Sequence, residues 1–251
     1  MTSERAHANR AQKPAVSHDF EAAGTHWQAQ PSGALWAPEP RLLCVADLHL
    51  GKSERMARRG GPFLPPYETE ATLTALAAEV ERFAPRTVLC LGDSFDDPRA
   101  AAHVEAQHSD TLARLMAGRR WVWMTGNHDP VPNGLGGDSA SEFRLGAALF
   151  RHIAVPHWSP GTGADTLEVS GHYHPKATLH VRGRRLSRRC FVMGAGRLIL
   201  PAFGAYTGGL DAADPVFAPL VGEEAVAFLL GAEVRALPRR VLSAPNALAR
   251  S

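Results

Sequence analysis

The stretch Arg41-Leu42-Leu43-Cys44-Val45-Ala46-Asp47-Leu48-His49 decides the fold class. It opens as a short apolar run suited to a buried strand and stops on Asp47 and His49, two side chains that ligate metals. The same arrangement recurs downstream. Thr87-Val88-Leu89-Cys90-Leu91 ends in Gly92-Asp93, and Trp121-Val122-Trp123-Met124-Thr125 ends in Gly126-Asn127-His128-Asp129. Ala147 to Phe150 runs into Arg151-His152, and Leu167 to Ser170 runs into Gly171-His172-Tyr173-His174. Five times an apolar strand delivers polar donors.

Helical patterns separate the first three strands. Tyr67 to Phe83 places Leu73, Leu76, Ala77, Val80 and Phe83 at helical spacing, and Pro98 to Gly118 predicts a second helix with Val104, Leu112, Leu115 and Met116 on one face. Strands alternating with helices give an α/β layered fold whose ligands collect at the carboxyl ends of the strands. After the glycine-rich loop at 133–137 the character changes. Ala177 to Met193 reads as a hairpin around Arg182-Gly183, Ala225 to Leu230 as a further strand, and two segments between Phe20 and Trp36 as a hairpin around Gln30 to Gly33. The expected architecture is a four-layer α/β/β/α sandwich, two mixed sheets flanked by helices, formed by one domain over 17–251. Residues 1–16 lack periodicity and read as a disordered tail.

At 251 residues, 45% hydrophobic and 21% charged, the chain has the composition of a globular enzyme, and a net charge of +2 does not by itself announce nucleic-acid binding. Cys44, Cys90 and Cys190 are odd in number and sit in apolar stretches, which suits reduced thiols and excludes a disulfide framework. Met1 to Lys13 has no apolar core of a signal peptide, and no run of about 18 apolar residues occurs, so the expected address is the cytoplasm, away from membranes.

Asp47 and His49, two apart, point to one side of an extended chain and are placed to meet one ion. Asp93 offers a carboxylate for a second ion, Asn127 a neutral oxygen, and His152, His172 and His174 imidazoles. Oxygen and imidazole donors without thiolates suit manganese, iron or zinc. Taken singly, each piece is also what a strand-end turn or helix cap looks like; their order and strand context point to a site.

In this order the motifs Asp47-Leu48-His49, Gly92-Asp93-Ser94-Phe95-Asp96, Gly126-Asn127-His128-Asp129, a lone strand-end His and Gly171-His172-Tyr173-His174 resemble the calcineurin-like metallophosphoesterase superfamily. The resemblance implies one divalent ion on Asp47, His49, Asp93 and His174 and another on Asp93, Asn127, His152 and His172, with Asp93 bridging. Two such ions acidify a water and neutralise charge on a leaving oxygen. His128 is implied as a catalytic residue outside the metal shell, working on the transition state or as general acid. Both His152 and His157 fall where the lone His belongs; His152 is preferred because it terminates a strand.

Leu48-His49-Leu50-Gly51-Lys52, Gly92 to Phe95 and above all Leu200-Pro201-Ala202-Phe203-Gly204-Ala205-Tyr206-Thr207-Gly208-Gly209-Leu210 resemble the bacterial PdeM family, called the ligase-associated DNA damage response endonuclease. That resemblance implies a manganese-dependent phosphodiesterase acting on DNA in repair, associated with a DNA ligase and a helicase. Magnesium is a further option for the metal. The chain departs at Asp96, where many members of that family have His.

Lys52 and Arg55, followed by Arg58 and Arg59, lie close enough behind the first motif to overhang the metals and hold phosphates, with Asp96 and Tyr206 as further substrate contacts. Arg182, Arg184, Arg185, Arg188 and Arg189 form a basic strip that either binds phosphates or only solvates a hairpin. Gly204, Gly208 and Gly209 permit either a backbone-close loop beside the metals, with Tyr206 stacking on a base, or a tight packing corner. Two other functions share these motifs: hydrolysis of small phosphomonoesters or cyclic nucleotides, and a metal-binding scaffold for repair partners without turnover.

Overall fold

The computed structural model describes residues 15–60, 67–102, 104–130, 134–155, 158, 165–181 and 183–242. Its first half contains the strands β1 (His18–Ala22), β2 (Thr25–Ala29), β3 (Leu35–Ala37), β4 (Leu42–Val45), β5 (Thr87–Cys90), β6 (Arg120–Met124) and β7 (Asp138–Ala140), which form one sheet in that order. β1 to β4 pair antiparallel and β4 to β7 parallel, so the sheet is mixed. Parallel pairing demands crossovers, and helices α1 (Lys52–Arg58), α2 (Glu68–Phe83), α3 (Pro98–Ala102) and α4 (Ala106–Met116) lie between those strands in the chain.

The second sheet gathers β8 (Glu142–Leu145), β9 (Ala148–Arg151), β10 (Leu167–Ser170), β11 (Lys176–Val181), β12 (Arg184–Gly194), β13 (Arg197–Ile199), β14 (Val226–Leu229) and β15 (Arg235–Pro238). Its order is β15-β14-β12-β13-β10-β9-β8, with β11 pairing β12 off that path. β9, β10 and β13 run parallel and the remaining pairs antiparallel. Short helices α5 (Ala218–Val221) and α6 (Arg239–Leu242) complete the fold.

Three apolar clusters separate the layers. Leu43, Val45, Val88 and Trp121 point from the first sheet to Leu73, Leu76 and Val80 of α2 and Leu112 of α4. Leu42, Cys44, Leu89 and Val122, on the opposite face, meet Phe150, Val169, Phe191 and Leu198 of the second sheet. Cys190, Val192 and Ile199 then face Phe217, Leu220 and Leu242 on the far side. Alternate residues of β4 thus serve two cores, which is why the run reads as continuously apolar. Each fully buried Leu or Val contributes about 1.5–3 kcal/mol.

Three expectations change. The helix expected over Pro98 to Gly118 is two helices, broken where Glu105 takes φ −55° and ψ 143°. Ala100 and Leu112 both pack in the same core cluster, yet twelve positions along a straight helix sets them about 120° apart; the break turns both inward. Val16, which the expected tail over 1–16 includes, is paired, its amide donating to the Ala232 carbonyl (3.0 Å) and its carbonyl accepting from Val234 (2.9 Å); residues 1–14 lie outside the described residues. β1, β7, β8 and β15 are strands that the pattern did not predict. Among the described residues no helix is long and apolar enough to cross a membrane.

Candidate metal centre

Register brings the strand ends into one row. Val45 pairs with Cys90 and Cys90 with Trp123 in the first sheet, and Val169 pairs with Phe150 in the second. The segments leaving β4, β5, β6, β9 and β10 therefore converge at the seam between the sheets. The chain is not extended there, as the i, i+2 argument for Asp47 and His49 assumed: Asp47, His49, Asp93, His172 and His174 all have φ between 45° and 70°. Non-glycine residues in that region carry a steric cost, which gathers at functional sites. Lateral hydrogen bonds hold these turns, with the Asp47 amide donating to the Gly92 carbonyl (3.2 Å) and the His49 amide to the Asp93 carbonyl (3.0 Å).

Two clusters of donors result. In the first, His49 Nε2 is 3.3 Å from His174 Nε2, which is 3.3 Å from Asp47 Oδ1. In the second, His152 Nε2 is 3.0 Å from Asn127 Oδ1 and 3.3 Å from Asp93 Oδ2, and Asn127 Oδ1 is 2.9 Å from His172 Nδ1. Donors bound to one ion at ~2.1 Å stand about 3.0–3.4 Å apart, as these do. The clusters adjoin through His152, whose Nδ1 is 3.8 Å from Asp47 Oδ1.

The protonation pattern fits cations. His152 Nδ1 donates to the Leu91 carbonyl (3.0 Å), so a neutral ring aims the lone pair of Nε2 at two oxygens that are themselves acceptors. Only a positive charge between them, a proton or a metal ion, relieves that convergence. Space is reserved in the same way: a Cβ on Gly126 would overlap Asp93 Oδ1, and one on Gly171 would come within 2.6 Å of Asp47 Oδ2.

The family model for calcineurin-like phosphoesterases matches residues 40–192, more than half of the chain and the part that carries every donor named above. The chain belongs to that family. This phosphoesterase is similar in structure to a nuclease, MPE of Pseudomonas putida, with TM-score 0.67 and 29% sequence identity over 88% of this chain and 100% of that one. No curated protein sequence gives a significant match. The phosphoesterase is accordingly a metal-dependent hydrolase, the family using divalent metals, and the likeness to a nuclease agrees with the PdeM-like motifs.

Electrostatics at the phosphoesterase centre favour bound cations. Burial pushes the Asp93 carboxyl up, but the hydrogen bond and charge of His152, the His128 amide and the charge of His49 outweigh it and bring it down to about 2. Burial pulls His152 down, and Asp93, Asp47 and the Leu91 carbonyl more than compensate, so its pKa rises. Asp129 goes the other way. Burial and the charge of Asp93 lift it to about 6 although the amides of Phe95, Ser94 and Gly126 donate to it.

His128 stands beside the donors. Its amide donates to Asp93 Oδ1 (2.8 Å), its Nδ1 donates to the Asp96 carbonyl (2.9 Å), and its Nε2 remains open 4.0 Å from Asp93 Oδ2. Asp96, expected to touch substrate, is instead 1% exposed, with one carboxylate oxygen 2.9 Å from His49 Nδ1 and the other paired with Arg55. Arg55 is drawn inward by that pair, and Arg58 is held by Asp97 at 2.8 Å. Of the basic set behind the first motif, Lys52 is half-buried and Arg59 exposed.

The Leu200 to Leu210 segment is a backbone-close loop on the first motif. The Phe203 amide donates to the Ala46 carbonyl (2.8 Å), and a Cβ on Gly204 or Gly209 would run into the Leu48 or His174 carbonyl; Gly208 faces open space. Tyr206 is 54% exposed at φ 55°, over a cavity of about 270 Å³ lined also by Ala71, Thr72, Ala75 and Arg189. Arg189 proves structural, donating to the carbonyls of Ala202 (2.8 Å), Phe203 and Ser32, whereas Arg184, Arg185 and Arg188 are exposed. Arg182 and His157 lie outside the described residues.

Sequence reasoning missed three contributors. Asp129 accepts from the Ser94, Phe95 and Gly126 amides and so ties the second motif to the third. Lys176 reaches the Thr207 carbonyl (2.9 Å) beside the centre. Glu168, wholly buried, pairs with Arg197 at 2.8 Å and accepts from the Val155 amide, steadying the segment after His152. The order Asn127-His128-Asp129 signalled the first; nothing in the sequence signalled the others.

Proposed function

We propose that the chain is a dinuclear phosphodiesterase that cuts DNA as an endonuclease, in a repair setting shared with a DNA ligase and a helicase. One ion is assigned to Asp47, His49, His174 and Asp93, the other to Asp93, Asn127, His152 and His172, with manganese ahead of iron, zinc or magnesium on donor chemistry. Bound there, the metals supply Lewis-acid activation of water and neutralise charge on the phosphoryl oxygens. The chain's own residues do the rest. Asp96 fixes the tautomer and direction of His49, as a carboxylate behind a ligating imidazole does. His128, anchored through Nδ1, holds a proton at Nε2 for the leaving oxygen. Lys52 lies on the approach to the centre as a phosphate contact, and Tyr206 presents an exposed ring for stacking on a base.

The reading is carried by the adjacency of the two donor clusters, which meet where His152 of the second lies 3.8 Å from Asp47 of the first. The likeness to a nuclease favours nucleic acid over small phosphomonoesters, and the retention of every donor together with His128 argues against a scaffold without turnover. Purified protein given manganese is expected to cleave an aryl phosphodiester and DNA, Asp47→Asn to abolish both without unfolding the chain, and His128→Gln to abolish cleavage of DNA. Activity that survives both substitutions refutes the assignment. Cleavage of DNA should weaken steeply with salt, which hydrolysis of a small ester should not.

A further inference from the structure

The β11–β12 pair departs from the main path of its sheet: β11 pairs with β12 off that path, and its first residue, Lys176, also bridges to Asp211. The register sets Lys176 opposite Arg189, Thr178 opposite Ser187 and His180 opposite Arg185, and residues directly opposite in antiparallel strands share a face. This face starts two residues after His174 and holds polar side chains without a carboxylate. The other face turns toward the core at its base, where Ala177 is buried and Leu179 packs beside it. Lys176 and Arg189 root the polar face against the Leu200 to Leu210 loop.

Charge at the outer end of the pair is unmatched, as it also is, among the described residues, at exposed Arg59, Arg86 and Arg144. Arg58, Arg120, Arg151, Arg235 and Arg240 are each matched by a carboxylate at 2.8–3.0 Å. Arg184, Arg185 and Arg188 are exposed and, among the described residues, have no carboxylate within ion-pair distance. On the polar face Arg185 is the unmatched cation, in line with His180 and the hydroxyls of Thr178 and Ser187, a set suited to a polyanion's phosphates, while Arg184 and Arg188 lie on the other face.

We propose that the polar face of β11–β12 is a track for the sugar–phosphate backbone of a nucleic-acid strand, with Arg185 its outermost contact. The inference rests on the nucleic-acid reading above and adds a subsite away from the cut bond. From Lys176 to His180 the track spans ~13 Å at ~3.3 Å per residue.

The full-length protein with manganese, assayed on a long oligonucleotide, a dinucleotide and an aryl phosphodiester, tests it. Arg185→Ala is expected to raise KM for the oligonucleotide about three- to tenfold and to lower the salt slope by about one. Its kcat, and turnover of both small substrates, should hold. Arg184→Ala, on the opposite face, should leave KM in place, and Arg185→Lys should restore it, because a phosphate reads the charge. An oligonucleotide KM indifferent to Arg185→Ala, an equal loss on the aryl ester, or an equal effect of Arg184→Ala overturns the track. If the unaltered protein cuts no oligonucleotide, the nucleic-acid reading falls as well; if it cuts and Arg185→Ala changes nothing, only the track falls.

Discussion

The Asp96 carboxylate lies 2.9 Å from Nδ1 of His49, while Nε2 of the same ring faces His174 at 3.3 Å. One edge of the imidazole is held by the protein, and the other is offered to a metal. Asp96→Asn should reduce metal affinity or activity about 10–100-fold, read as a rightward shift of the manganese activation curve. An unshifted curve would show that the pair orients nothing.

His128 separates proton delivery from metal binding. His128→Ala should keep its metal content by elemental analysis yet lose about 10²–10⁴ in kcat on an alkyl diester, whose leaving oxygen needs a proton. The loss should be much smaller on an aryl diester with a good leaving group. Equal losses on the two substrates would exclude general-acid work.

Gly126 tests the reserved space. In Gly126→Ala the methyl group meets Asp93 Oδ1 and the Asp93 amide, so the variant should be less stable by about 1–3 kcal/mol and bind metal weakly. Thermal unfolding and metal titration measure both, and wild-type values in each would contradict the geometry.

Glu168→Gln leaves Arg197, 3% exposed, without its counter-charge. Loss of one partner from a buried pair costs about 3–5 kcal/mol, so the denaturant midpoint should fall well below that of the parent. A midpoint within error of the parent would mean that water reaches Arg197.

Removal of metal is a third lever on stability. Manganese at about a hundred times its Kd should raise the unfolding free energy by about 2.7 kcal/mol, and a chelator should reverse this. Asp47→Asn should blunt the gain. A melting temperature indifferent to manganese would argue against a site built from these donors.

The strands that carry the donors were legible because each is buried on both faces and ends on a ligand, so the apolar run and the polar stop mark the same boundary. β7 and β15 were not, because they are short and largely exposed and no apolar pattern marks them, and in β8 Phe143 and Leu145 alternate with Glu142 and Arg144 over only four residues, too few to read as a strand. Residue types announced Asp47, Asn127 and His174. They could not announce that Asp96 would turn toward Arg55 and His49, since that depends on α1 lying across the second motif, 41 positions from Arg55 to Asp96. The break before Ala106 escaped notice for a related reason: alanine-rich sequence favours a continuous helix, and only packing against Trp121 and its neighbours bends it.

Asp47, Asp93 and Asn127 issue from one sheet, His152, His172 and His174 from the other. Any ion gripping both groups is therefore a rivet through the middle of the sandwich. Stripping it should let the two halves breathe against each other, so that amide exchange quickens in both together while each keeps its own ladder of strands.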